Sequence, residues 1–151
     1  MIVPNLIVRN IDAILFDMNG TLRIREPHEP TQYQATQRIL ELLGKNDIPD
    51  SYWEELTRRS KTYNQWAQEH LIQLTEGEIW TRWILPEYPP EQIGPVAVEL
   101  TLAWSERNGH TVPKPDAGKM LVELKRRGYH LGVISNTMSS LDIPRDLDAF
   151  G

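Results

Sequence analysis

The feature that most constrains this sequence is a four-residue apolar run, Ala13-Ile14-Leu15-Phe16, that stops at Asp17-Met18-Asn19-Gly20-Thr21. A run this short, closed by turn formers, fits a strand buried on both faces, as in a parallel sheet. Such a strand needs a parallel partner, and the chain reaches one only through a crossover, usually a helix. Both are legible toward the other end. Tyr129–Ile134 is a second strand-like run, ending at Ser135-Asn136. Before it lies a helix with an inner face of Ala117, Met120, Leu121 and Leu124, and with Asp116 placed to cap it. Lys125, Arg126 and Arg127 fall in its last turn, where they complement the helix dipole, and Gly128 stops it.

Between the two strands, four helices are expected. Thr31–Gln34 has capping-box spacing ahead of the stripe Ala35, Ile39, Leu42 and Leu43. Ser51–Glu54 repeats the signal ahead of Trp53, Leu56, Tyr63, Ala67, Leu71 and Leu74. Thr75–Glu78 opens a short third helix that Pro86 ends, and a fourth runs from Pro90 to Trp104 before Asn108-Gly109. Val112-Pro113-Lys114-Pro115 then reads as a hinge, and the tail from Leu141 begins another helix. The expected fold is α/β. A Rossmann-like parallel-sheet core, incomplete here, comprises 1–24 and 113–151, and a four-helix domain is inserted over 25–112.

Composition narrows the chemistry. A net charge of -5 gives no reason to expect nucleic acid or an anionic membrane as partner. Cysteine is absent, which removes disulfides, thiolate nucleophiles and cysteine-bound zinc. The N-terminus has no signal-peptide pattern, and no apolar run approaches the ~20 residues of a membrane span. Cytoplasm is the expected compartment. Ligands of open parallel sheets bind beyond the carboxyl ends of the strands. Asp17 stands at one such end, Ser135 and Asn136 at the other. A carboxylate there can attack an electrophile to give an acyl intermediate, including an aspartyl phosphate. A hydroxyl and backbone N–H groups on the neighbouring strand can hold phosphate oxygens.

Ile14-Leu15-Phe16-Asp17-Met18-Asn19-Gly20-Thr21-Leu22 resembles the first motif of the haloacid dehalogenase superfamily, an apolar strand followed by Asp-x-Asp-Gly-Thr. Gly132-Val133-Ile134-Ser135-Asn136 resembles the second, and the helical insert lies where that family carries its cap domain. The resemblance implies that Asp17 is the nucleophile and a Mg²⁺ ligand, with the Asn19 backbone carbonyl as second metal ligand. Gly20 and Thr21 would shape the loop beneath the substrate, and Ser135 with Asn136 would bind the transferring group. Position 19 departs from the pattern: family phosphatases carry an acid there, and an amide cannot transfer a proton. The family's lysine and acidic motifs lie downstream of the second motif, so the chain reads as an N-terminal portion. With two strands, the core leaves both sheet edges open, and these residues alone are expected to fold and turn over poorly. Lys114-Pro115-Asp116 precedes the second motif and reads as hinge and helix cap.

The implied activity is a Mg²⁺-dependent phosphatase acting on a small phosphorylated metabolite. One alternative is a 2-haloacid dehalogenase, in which Asp17 displaces halide without metal. The other is a non-catalytic binding protein, suggested by Asn19 and by the downstream motifs that these residues lack. Trp53, Trp66, Trp80, Trp83 and Trp104 all fall in the insert and read as core packing rather than an aromatic wall for substrate. His28 reads as an exposed loop residue, and His70, His110 and His130 lack metal-ligand spacing. Arg58-Arg59 and Arg126-Arg127 read as solvated faces.

Overall fold

A computed structural model describes residues 11–150. The chain divides into two compact units, one comprising 1–24 and 111–136, the other 25–110 and 137–151.

In the first unit, strand β1 (Ala13–Phe16) pairs in parallel with β4 (His130–Val133). The register sets Ala13 against His130 and Phe16 against Val133, and the ladder continues where the Ile134 N–H donates to the Phe16 carbonyl at 2.9 Å. The crossover helix is α6 (Ala117–Arg126), which ends at Arg127 and Gly128 (φ +90) as its basic last turn leads one to expect. Its entry differs from expectation. Asp116 sits at the N-cap with φ 64, a left-handed conformation in place of the extended one that a capping side chain needs. It makes no capping hydrogen bond, and its carboxylate pairs with Lys119 at 3.0 Å. Burial of β1 also differs. The strand is not covered on both faces: Leu15 is 64% exposed, Ile14 and Phe16 are half-buried, and Ile134 beyond β4 is 65% exposed. Helix α6 packs against β4. Two further strands went unforeseen: β2 (Arg23–Glu26) and β3 (His110–Pro113) pair as a second two-stranded sheet. Arg-Ile-Arg-Glu has too little apolar alternation to announce a strand. Both strands carry the chain from one unit into the other.

The second unit is helical: α1 (Glu29–Leu42), α2 (Asp50–His70), α3 (Glu76–Ile79), α4 (Pro90–Ile93), α5 (Ala97–Glu106) and α7 (Asp142–Phe150). Two expected starts shift by a residue or more. His28 rather than Thr31 caps α1, its Nδ1 accepting from the Thr31 N–H, and α2 begins at Asp50 behind Pro49 without a side-chain cap. The capping box at Thr75 and Glu78 is formed in full. Helix α3 runs into a single π turn, Trp80–Ile84, closed by the Leu85 N–H on the Trp80 carbonyl at 2.7 Å. Gly94-Pro95 explains why the fourth expected helix is broken by a 3-10 turn, Gly94–Val96. The core gathers Ile39, Leu43, Leu56, Tyr63, Ile79, Trp80, Ile84, Ile93 and Leu100, all essentially dry. Trp80 is fully buried and donates its indole N–H to Thr101 at 2.7 Å. Trp53, Trp66, Trp83 and Trp104 pack half-buried against the same core, and the Arg107 guanidinium lies 3.7 Å from the Trp53 ring centroid. Burial holds Arg107 below the ordinary arginine range. Arg59 is more engaged than a solvated face would be, binding Glu55, Glu87 and the Ile84 carbonyl.

The tail sits elsewhere than the sequence reading had it. Residues 137–151 group with the helices rather than with β1 and β4. The Ser140 N–H and hydroxyl both bind Glu76, Ser139 Oγ accepts from the first turn of α7, and Arg145 pairs with Glu106. No helix among the described residues is long and apolar enough to cross a membrane.

Candidate active site

Every residue singled out for chemistry lies in the first unit, at one edge of the β1–β4 pair. Phe16 faces Val133, so Asp17 and Ile134 leave the two strands at the same level, with Ser135 and Asn136 following directly. Parallel neighbours run about 4.8 Å apart, which brings the two expected motifs into one place.

The loop after β1 is built around one carbonyl. Met18, fully buried, accepts at its backbone oxygen from the N–H groups of Thr21, Leu22 and Arg23, at 3.0–3.2 Å. Gly20 turns the chain with φ +79, and its N–H donates to the Arg23 carbonyl at 2.8 Å. A side chain at position 20 would be strained by that backbone conformation rather than by crowding. The turn leaves Asp17, Asn19, Gly20 and Thr21 exposed. Among the described residues Asp17 has no hydrogen-bond or ion-pair partner, so both carboxylate oxygens are open to a ligand.

Two residues outside the expected set hold this loop. Arg23, only 1% exposed, donates from Nε to the Asn19 side-chain oxygen at 2.9 Å. That bond fixes the amide orientation and leaves the Asn19 NH₂ as the group available to a substrate. Lys114 binds twice: its backbone N–H meets the Leu22 carbonyl and its Nζ meets the Gly20 carbonyl, each at 2.8 Å. Nothing in the sequence singles out a buried arginine three residues past a turn glycine. Lys114 was visible as part of a Lys-Pro-Asp string, but its partner Gly20 lies 94 positions away.

On the β4 side, the Ser135 hydroxyl is buried and has no hydrogen-bond partner. An unpaired buried hydroxyl costs about 1–3 kcal/mol, and native structures tolerate few such atoms. Asn136 is exposed beside it. A hollow lined by Ile48, Tyr52, Glu87 and Tyr88 belongs to the helical unit and is lined by none of the predicted residues.

A strand-end carboxylate, a glycine turn and a hydroxyl on the neighbouring parallel strand now stand in one unit. The family model of haloacid dehalogenase-like hydrolases matches residues 11–151. The chain belongs to that family. No curated protein and no solved structure matches it. Asp17 directly follows β1, and Ser135 lies two residues beyond β4.

Magnesium is the metal this family implies. The described residues contain no cluster of three or more His, Cys, Asp or Glu side chains able to hold a metal. Mg²⁺, however, is commonly held by one or two carboxylates, substrate phosphate and several waters. The open Asp17 carboxylate and the Asn19 carbonyl, to which no described N–H donates, are a donor set of that kind.

Proposed function

We propose that the chain carries the nucleophile and phosphate-binding groups of a Mg²⁺-dependent phosphomonoesterase that acts on a small phosphorylated metabolite. The observation that carries this reading is the Ser135 hydroxyl, buried without a partner on the strand beside Asp17. A phosphoryl oxygen arriving at that strand end would supply the missing hydrogen bond.

In the first half-reaction an Asp17 oxygen attacks phosphorus in line, and the P–O bond to the leaving group breaks, giving an aspartyl phosphate. Ser135 donates to a phosphoryl oxygen. The Asn19 amide, held by Arg23, donates a hydrogen bond to the leaving oxygen but gives it no proton, so the proton comes from water. Losing a general acid costs ~10²–10⁴ in rate, which favours substrates with good leaving groups. In the second half-reaction water, oriented by the same amide, attacks phosphorus. The P–O bond to Asp17 breaks, regenerating the carboxylate and releasing phosphate, and the proton of the water passes to solvent. When bound at Asp17 and Asn19, Mg²⁺ would neutralise charge between carboxylate and phosphate. The helical unit would serve as the cap that selects substrate, in keeping with specificity residing on inserted segments.

Asn19 also supports a second reading, 2-haloacid dehalogenation, because a halide leaving group needs no proton. Metal dependence separates the two. Turnover of p-nitrophenyl phosphate that chelator abolishes and Mg²⁺ restores supports the phosphatase; chelator-resistant release of halide from 2-haloacids would replace it. A third reading, binding without catalysis, predicts that beryllofluoride stabilises wild type and Asp17→Ala equally.

A further inference from the structure

We infer that Lys114 supplies the positive charge that receives the anionic group of the substrate at this strand end. The inference rests on the phosphatase reading of the Asp17 site and assigns that site a residue from the hinge, outside both sequence motifs.

Two observations lead to it. The first is placement. Lys114 directly follows β3, and its backbone and side chain grip the two carbonyls, Leu22 and Gly20, that close the turn after Asp17. The ammonium is thereby fixed on the loop that carries Asp17, Asn19 and Thr21. It spends one of its three protons on Gly20 and keeps two for a ligand. Lys114 is exposed, so solvent and ligand reach it.

The second observation is the fate of the other cations of this unit. Lys119 is paired with Asp116, and Arg126 and Arg127 both bind Glu123. Lys125 lies in the last turn of α6, and His130 opens β4, so both belong to the end where the strand begins. That end is about 13 Å from where the strand stops. Arg23 is buried and holds Asn19. Among the described residues, Lys114 is thus the solvent-accessible cation at the catalytic end that has no carboxylate partner. A phosphate dianion approaching the Asp17 carboxylate meets like charge, and a fixed ammonium beside the path offsets that repulsion. The family's own lysine follows the second motif in chain order, whereas Lys114 precedes it.

The test is calorimetric titration of inorganic phosphate, with Mg²⁺ present, into the full chain and into Lys114→Met, Lys114→Gln and Lys114→Arg. A charge-assisted hydrogen bond lost from such a site weakens binding about tenfold to a hundredfold. Lys114→Met should show that loss. Lys114→Gln, which keeps a donor for the Gly20 carbonyl but no charge, should lose as much, and Lys114→Arg should stay close to wild type. Phosphate affinity unchanged in Lys114→Met, or rescued by Gln as well as by Arg, overturns the inference, as does wild type that binds no phosphate. Acid-stable phosphoryl transfer to Asp17 is scored separately. A protein that forms the phosphoenzyme yet ignores Lys114→Met retains the phosphatase reading and loses this one. Lys114-dependent phosphate binding without a phosphoenzyme does the reverse.

Discussion

Ser135→Ala should stabilise the empty protein while damaging its function. In the structure the hydroxyl is buried and unpaired, an arrangement that costs about 1–3 kcal/mol. Replacing it with hydrogen removes that cost and forfeits a handful of van der Waals contacts worth about 0.1–0.2 kcal/mol each. The expected net gain is about 1 kcal/mol, or roughly fivefold in the local opening equilibrium. All five tryptophans lie in the helical unit, so fluorescence would report on the wrong part of the molecule. Hydrogen exchange followed by mass spectrometry, on peptides covering Ile14–Phe16 and Leu131–Ile134, reads the right strands. Exchange there should slow about fivefold in Ser135→Ala, while phosphate affinity falls about tenfold or more, the worth of a hydrogen bond to a charged group. Faster exchange with unchanged phosphate affinity would refute the reasoning, because the hydroxyl would then be a structural donor with a partner in solution.

Four further outcomes follow from the same geometry. Asp17→Asn should lower phosphatase turnover by ~10⁴-fold or more, as loss of a covalent nucleophile does, with unchanged circular dichroism; residual activity above a hundredth of wild type would rule Asp17 out. Thr101→Val leaves the fully buried Trp80 N–H without its acceptor and should cost about 1–3 kcal/mol in the tryptophan-monitored urea transition; no shift would mean that the indole finds another partner. Gly109→Ala combines φ +116 with a Cβ 2.1 Å from the Glu26 carbonyl oxygen, so its transition should drop by about 3 kcal/mol or more. Glu55 is held down to about 2 by Arg58 and Arg59 from an ordinary 4.5. A depressed carboxyl contributes stability that is present above pH 4.5 and lost as pH falls toward 2. Glu55→Gln should therefore flatten the acid limb of the helical unit's stability in that window, and an unchanged limb would show that the pair is spent on solvent.

What was legible in the sequence is what local chemistry dictates. Ala13–Phe16 and the run before Ser135 had to be strands because turn residues bound them. The capping box at Thr75 was readable because both partners are three residues apart. The parallel pairing followed from the crossover helix, and Trp80 was rightly read as core. The failures share a cause: partners far apart in the chain. Strands β2 and β3 are specified by each other, not by their own sequences. Asp116 looked like a cap, but its left-handed backbone, set where the chain leaves Lys114 and Pro115, does not give the extended geometry that capping needs. Leu15 looked buried because its neighbours are apolar, yet burial depends on what covers the sheet, and α6 covers one face. At the site, Asp17, Gly20 and Ser135 were visible as a pattern. Arg23 was not, and Lys114 was visible only as part of the hinge, because their roles are defined by the turn they hold.

The central claim is that Asp17 is a covalent nucleophile toward phosphorus. The most direct measurement is to incubate the protein with Mg²⁺ and acetyl phosphate, reduce the products with borohydride and map the modified peptides. A phosphorylated aspartate is converted to homoserine by that reduction. The account predicts homoserine at position 17, absent without Mg²⁺ or phosphoryl donor and absent in Asp17→Asn. Phosphoryl release with no modified residue at position 17, or with modification at another residue, would contradict it.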